Sequence, residues 1–252
     1  TVTGTEDSTA VKPVFIGQFT SAGDNNDVLE TIVTDGTGDY QIAMSNTNTI
    51  SGLGTSTDMQ YTLSCTSTGS LAGKYLIVRS VEINDTEYDC SDVSAVAITS
   101  NFNLDIIDST DPYGILQQMG ATDTDGDGKY TFDTASIIRE INVNFTISDI
   151  PYIPEKLYTQ KTSVSDGKYS QRWVCLVSKS DLANYTSATF TITRASDSKK
   201  MTKSVTTAYK SISASGSGIS YDGYYWVCYS MTGIPENVTL TGSIVLNEKS
   251  QS

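Results

Sequence analysis

Histidine is absent from this 252-residue sequence. That removes Ser-His-Asp triads, Cys-His dyads and His-based zinc sites in one step. Basic residues are few: 16 Lys and Arg stand against 29 Asp and Glu, for a net charge of −13. An acidic surface repels phosphate, so nucleic acid and anionic membranes are poor partners and cations are better ones. No apolar run approaches the length of a transmembrane helix, so no membrane insertion is expected. The four cysteines, Cys65, Cys90, Cys175 and Cys228, form no CxxC pair. An even count in an acidic, Ser/Thr-rich chain suits disulfides and an oxidising compartment. The first residue is Thr1 and not Met, which is read as the processed end of a secreted protein.

What is abundant is Thr and Ser, roughly a quarter of the chain. Thr, Val, Ile and Tyr suit a pleated, half-buried surface, while Ser, Gly, Asn and Asp suit turns. Apolar and polar residues alternate over short segments such as "DYQIAMS", "QYTLSCTS", "INVNFTI", "RWVCLVS" and "YYWVCYS". Each is bounded by turn residues, which is the pattern of a sandwich or barrel and not of βαβ units. One short helix is expected at "DTASIIREI", where Ile137, Ile138 and Ile141 give a helical spacing and Asp133 or Thr134 caps the start.

Two internal echoes suggest a duplicated plan. "TDGTGDYQIAM" from Thr34 and "TDGDGKYTFD" from Thr124 share a Thr-Asp-Gly-x-Gly-x-Tyr frame, and "RWVCLVS" and "YYWVCYS" share Trp-Val-Cys. The expected domains are 1–108 and 109–252, with the boundary near "DSTDPYG". Under that split the preferred pairings are Cys65–Cys90 and Cys175–Cys228. Trp173 and Cys175 are two apart, as are Trp226 and Cys228, so each pair shares one face of its strand. In outline this resembles immunoglobulin-like domains. The fold class implied is all-β: two tandem immunoglobulin-like β-sandwiches with one short helix.

The stretch Asp123-Thr-Asp125-Gly-Asp127-Gly-Lys129-Tyr-Thr131-Phe-Asp133 concentrates carboxylates at alternate positions. Calcium takes six to eight oxygens, and a loop supplies them in this way. Asp123, Asp125 and Asp127 occupy the first, third and fifth places, with Gly128 at the sixth. The carbonyl of Lys129 serves at the seventh and Thr131 at the ninth. This run resembles the calcium loop of dockerin modules and related EF-hand-like repeats on microbial surface proteins. The resemblance implies a structural Ca2+ site and covers about twenty residues. Its twelfth place holds Thr134 and not an acid, so Asp133 or a remote oxygen must close the cage. A glycosidase needs two acids across a cleft, and adjacent aspartates on one loop do not supply that. The chain is read as not an enzyme.

Four sequons, at Asn84, Asn144, Asn184 and Asn237, are candidate glycosylation sites, although a Ser/Thr-rich chain produces some by chance. The N-terminal arm, with its apolar run Val14 to Ile16, forms either the first strand of its own sandwich or a strand donated to a neighbour. The functional expectation is a secreted structural subunit of a cell-surface assembly (filament, sheath or surface layer) that self-associates into a polymer. The alternative is an adhesin or carbohydrate-binding module that stacks sugar rings on Tyr224, Tyr225 and Trp226. A viral appendage fits the same composition.

Overall fold

The computed structural model describes residues 11–21, 24–53, 60–133, 136–162, 165–214 and 217–250. It is all-β, built from antiparallel sheets. The chain divides into two compact units, Thr1–Pro151 and Tyr152–Ser252.

The first unit runs β1 (Val14–Ser21), β2 (Asp24–Val33), β3 (Gly38–Leu53), β4 (Gln60–Thr66), β5 (Tyr75–Ile83), β6 (Thr86–Asp89), β7 (Val96–Ala97) and β8 (Asn103–Ile107). A single helical turn, α1 (Ile115–Gln118), and β9 (Ser136–Ser148) complete it. One sheet has the order β2-β1-β4-β8 and the other β3-β9-β5-β6, with β7 also on β5. The two sheets share one core. Phe15 of β1 meets Phe145 of β9 with ring centroids 5.2 Å apart, and both are fully buried. Alternation explains the choice of residues: Phe15, Gly17 and Phe19 turn inward while Val14, Ile16 and Gln18 turn outward. Each fully buried aliphatic or aromatic side chain contributes roughly 1.5–3 kcal/mol. The hairpin β5–β6 turns on Asn84 and Asp85, both at positive φ (48° and 63°), as a type I′ turn requires.

The second unit contains β10 (Leu157–Lys161), β11 (Lys168–Ser178), the one-turn helix α2 (Lys179–Leu182), β12 (Tyr185–Arg194) and β13 (Lys200–Val205). It continues with β14 (Ile212–Ala214), β15 (Ser217–Ile219), β16 (Tyr224–Pro235) and β17 (Leu240–Glu248). Sheet β10-β11-β16 packs on sheet β13-β12-β17, and β14-β15 forms a small hairpin. Trp173, Cys175 and Val177 of β11 meet Ala188, Phe190 and Ile192 of β12 in the core between the sheets.

Three expectations are corrected. The division falls after Pro151 and not near 108, because β9 pairs with both β3 and β5 and so belongs to the first unit. Consequently both copies of the Thr-Asp-Gly echo lie within one unit and mark no duplication. The expected helix at "DTASIIREI" is instead the start of β9 from Ser136 onward. Ile138 and Ile141 are both buried because the β3–β9 register shifts between their pairings, with Ile50 and Met44. An irregularity in the ladder thus produced a helix-like spacing. Of the two readings of Val14–Ile16, the first strand of its own sandwich is the one found: β1 sits between β2 and β4. Residues 1–10 and Thr134 lie outside the described residues.

Candidate functional site

The acidic loop is closed by an antiparallel bridge. Thr122 N–H donates to the Thr131 carbonyl and Thr131 N–H to the Thr122 carbonyl, each at 3.0 Å. Tyr130 N–H bonds the Ser109 carbonyl at 2.8 Å, and the Tyr130 and Phe132 rings pack against the core. Within the loop the Asp123 carboxylate accepts from Gly126 N–H (2.8 Å) and Gly128 N–H (3.1 Å). Asp127 accepts from Lys129 N–H at 2.9 Å. Gly126 and Gly128 have φ of 74° and 83°, where a side chain would be strained. These bonds turn one oxygen of each of Asp123, Asp125 and Asp127 to within 4.8 Å of one another.

The arrangement fits a hard divalent cation in part. Three carboxylates supply oxygen ligands, and the remaining places would fall to carbonyls and water. Asp133 is exposed and outside the converging group. Thr131 spends its backbone carbonyl on Thr122, leaving its hydroxyl as the ligand atom it could offer. The loop returns into a β-bridge at its ninth position and continues to a strand, where an EF-hand-type loop leads into a helix.

Next to the loop, Asp111 was not singled out by sequence. It is 5 % exposed, and its carboxylate accepts from Leu116 N–H (2.9 Å), Gln117 N–H (2.9 Å) and the Gln117 side-chain amide (3.1 Å). It holds the start of α1. The signal was present in "DPYGILQQ", an aspartate a few residues ahead of a short apolar run.

All four cysteines are free thiols, which corrects the expected disulfides. For Cys175 and Cys228 the register gives the reason. Cys175 stands opposite Val227, and Cys228 opposite Val174, on the neighbouring strands β11 and β16. A one-residue offset puts the two side chains on opposite faces of one sheet, so their Cβ atoms cannot reach bonding separation. Trp173 and Trp226 are divided in the same way: Trp173 lies between the sheets, and Trp226 packs on the other face against Tyr152 at 5.1 Å. Cys65 and Cys90 lie on segments of different sheets. Their S–H groups donate to the carbonyls of Thr66 and Tyr88. Burial raises the thiol of Cys65 to about 11 and those of Cys90 and Cys175 to about 12.

The sequons are unequal. Asn184 and Asn237 are exposed in turns. Asn144 is in the middle of β9, and its amide is engaged by Gln41 and Ser80. Asn84 is exposed, but its Oδ1 accepts from Arg139 N–H at 2.7 Å. The aromatic platform does not form on β16: Trp226 is fully buried and its Nε1–H donates to the Ile219 carbonyl. Among the described residues no helix is long and apolar enough to cross a membrane.

The outer face of the first sheet carries a feature the sequence reading passed over. Cross-strand register sets Val33, Val14 and Thr66 in one row, Thr31, Ile16 and Ser64 in the next, and Leu29, Gln18 and Thr62 in a third. No side chain in this grid is charged. Leu29 and Val33 are 56 % and 57 % exposed. The sequence signal was "VFIGQF", apolar at successive positions and so apolar on both faces of a strand.

A comparison of the chain with protein-family models found no match, and a search of curated proteins found none at a significant level.

Proposed function

We propose that the chain is a structural subunit that associates with copies of itself in an extracellular, cell-surface assembly. The observation that carries this reading is the uncharged outer grid of β2, β1 and β4. Two molecules of net charge −13 repel through most of their surface, and the aliphatic and hydroxyl rows of these three strands offer contact with a single neighbouring carboxylate, Asp105 of β8 opposite Thr62. Exposed β-branched and aliphatic residues gathered on one face mark interaction surfaces.

A polymer needs a second contact. The outer edge of β17 supplies one, since Leu240–Asn247 has no charged residue and Val245 is 59 % exposed. The opposite edge, β13, carries Lys200 and Lys203, the usual guard against strand pairing.

In this proposal Asp123, Asp125 and Asp127 hold a divalent cation, Ca2+ by its preference for carboxylate oxygen, and stiffen the loop. The extracellular setting rests on the Ser/Thr-rich exterior, with Asn184 and Asn237 as the exposed glycan acceptors. It draws nothing from disulfides. Light scattering and electron microscopy of the purified protein test the reading: oligomers or filaments are expected, dispersed by Leu29→Lys with Val33→Lys. A chain that stays monomeric at high concentration overturns it.

A further inference from the structure

A groove of about 770 Å3 lies on the face of the β10-β11-β16 sheet turned away from the second unit's core. At its centre is Arg172 of β11, half-buried. Its Nε–H and one Nη2–H donate to the Gln160 side-chain carbonyl at 2.9 and 2.6 Å, and Nη2 also donates to the Ser213 carbonyl. Both partners are neutral. No carboxylate pairs with this guanidinium among the described residues, although acids outnumber bases 29 to 16 in the chain. The two N–H groups of Nη1 have no partner among the described residues.

A guanidinium drawn out of water normally keeps an anion beside it, because its desolvation is costly. Here the protein fixes the group with neutral oxygens and leaves the charge directed at the groove. Lys161 borders the groove too, but it pairs with Gln171 and its ammonium lies over the Tyr169 ring at 4.7 Å, on the opposite face of the sheet, so Arg172 is the one cation of the lining on the groove's own face. No acidic side chain lines the groove, so its sign is opposite to that of the whole molecule.

The rest of the lining sets the ligand class. Ser170, Ser230 and Thr232 offer hydroxyls, while the Thr162 hydroxyl is held by the Ser170 backbone and the Met231 side chain packs against the core. The volume is in the range of organic-ligand sites and is far more than a lone oxyanion fills. We infer that the groove binds an acidic saccharide, its carboxylate held by Arg172 and its hydroxyls by the Ser and Thr side chains. This stands independently of self-association and of the aromatic route closed by the burial of Trp226.

The test is calorimetric titration of the whole protein with trigalacturonate, with neutral maltotriose, and with acetate and sulfate. Two variants accompany it. Arg172→Gln removes the charge. Thr232→Trp fills the groove from an exposed position and leaves the Arg172 bonds intact, with the thermal melt confirming the fold of each. Trigalacturonate is expected to bind the native protein and to weaken about tenfold or more in both variants. Maltotriose and the simple anions are expected to bind far more weakly. No binding of trigalacturonate, equal binding of maltotriose, equal binding of acetate or sulfate, or undiminished affinity in Thr232→Trp would each overturn the assignment.

Discussion

Gly242 of β17 lies against the indole of Trp173 of β11, so that a Cβ at residue 242 would stand 2.5 Å from Nε1 and 2.6 Å from Cδ1. Trp173 is 1 % exposed and has no room to retreat. The first unit repeats the device, with the Tyr61 ring covering Gly17. Each sandwich thus seats one large aromatic by leaving out one methyl group. Gly242→Ala and Gly17→Ala should each destabilise by about 1–3 kcal/mol, the usual cost of overpacking. Gly69→Ala, which meets nothing within 4 Å, should be close to neutral. Denaturant midpoints at constant m-value distinguish them.

Asp111 offers a second stability test. Removing its carboxylate leaves two backbone N–H groups at the start of α1 without their acceptor. Asp111→Ala should cost about 2–3 kcal/mol, since an unsatisfied buried donor carries its full desolvation penalty. Asp111→Asn retains one acceptor oxygen and should lose less. Equal loss in both variants would show that the carboxylate does not act through these hydrogen bonds.

The thiols predict both a chemical count and a pH dependence. Four reactive thiols should appear after denaturation without reductant, and labelling of Cys65, Cys90 and Cys175 should be slow in the native protein. Burial raises these thiols from an ordinary 9.0 to about 11, 12 and 12. The unfolded chain therefore releases its thiol protons at lower pH than the folded one. Their contribution to stability is complete below about pH 9 and is lost progressively as pH rises toward 11–12. Replacing the three with Ala or Ser should flatten that alkaline decline. Peptide mapping that recovers Cys65–Cys90 or Cys175–Cys228 would contradict the free-thiol state.

Calcium should raise the melting temperature. At a free concentration one hundred times Kd the expected stabilisation is about 2.7 kcal/mol. Asp125→Ala combined with Asp127→Ala should abolish the rise, whereas Asp133→Ala should leave most of it, because Asp133 is outside the converging group. An equal response in the triad variant would remove the cation from the account.

The strand content was legible because alternation is imposed by the pleat itself. Phe15, Leu63 and Val143 each face inward at the parity their segments required. Relationships between strands were not legible. Whether Cys175 and Cys228 share a face depends on a one-residue offset between β11 and β16, and neither strand contains that information alone. Likewise, Ile138 and Ile141 read as a helical stripe because the register shift that buries both is set by β3, some ninety residues away. The aspartate triad was visible as a local motif, and its convergence follows from local turns at Gly126 and Gly128. The Arg172 groove was not visible, since it assembles residues from β10, β11, β14 and β16.

The central claim is self-association through the outer face of β2, β1 and β4. Sedimentation equilibrium of the native chain and of Leu29→Lys with Val33→Lys, over a range of concentrations, tests it most directly. The account predicts that the native protein's mass rises with concentration and that the variant stays at one chain. A native mass of one chain throughout, or a variant that assembles as the native protein does, would contradict it.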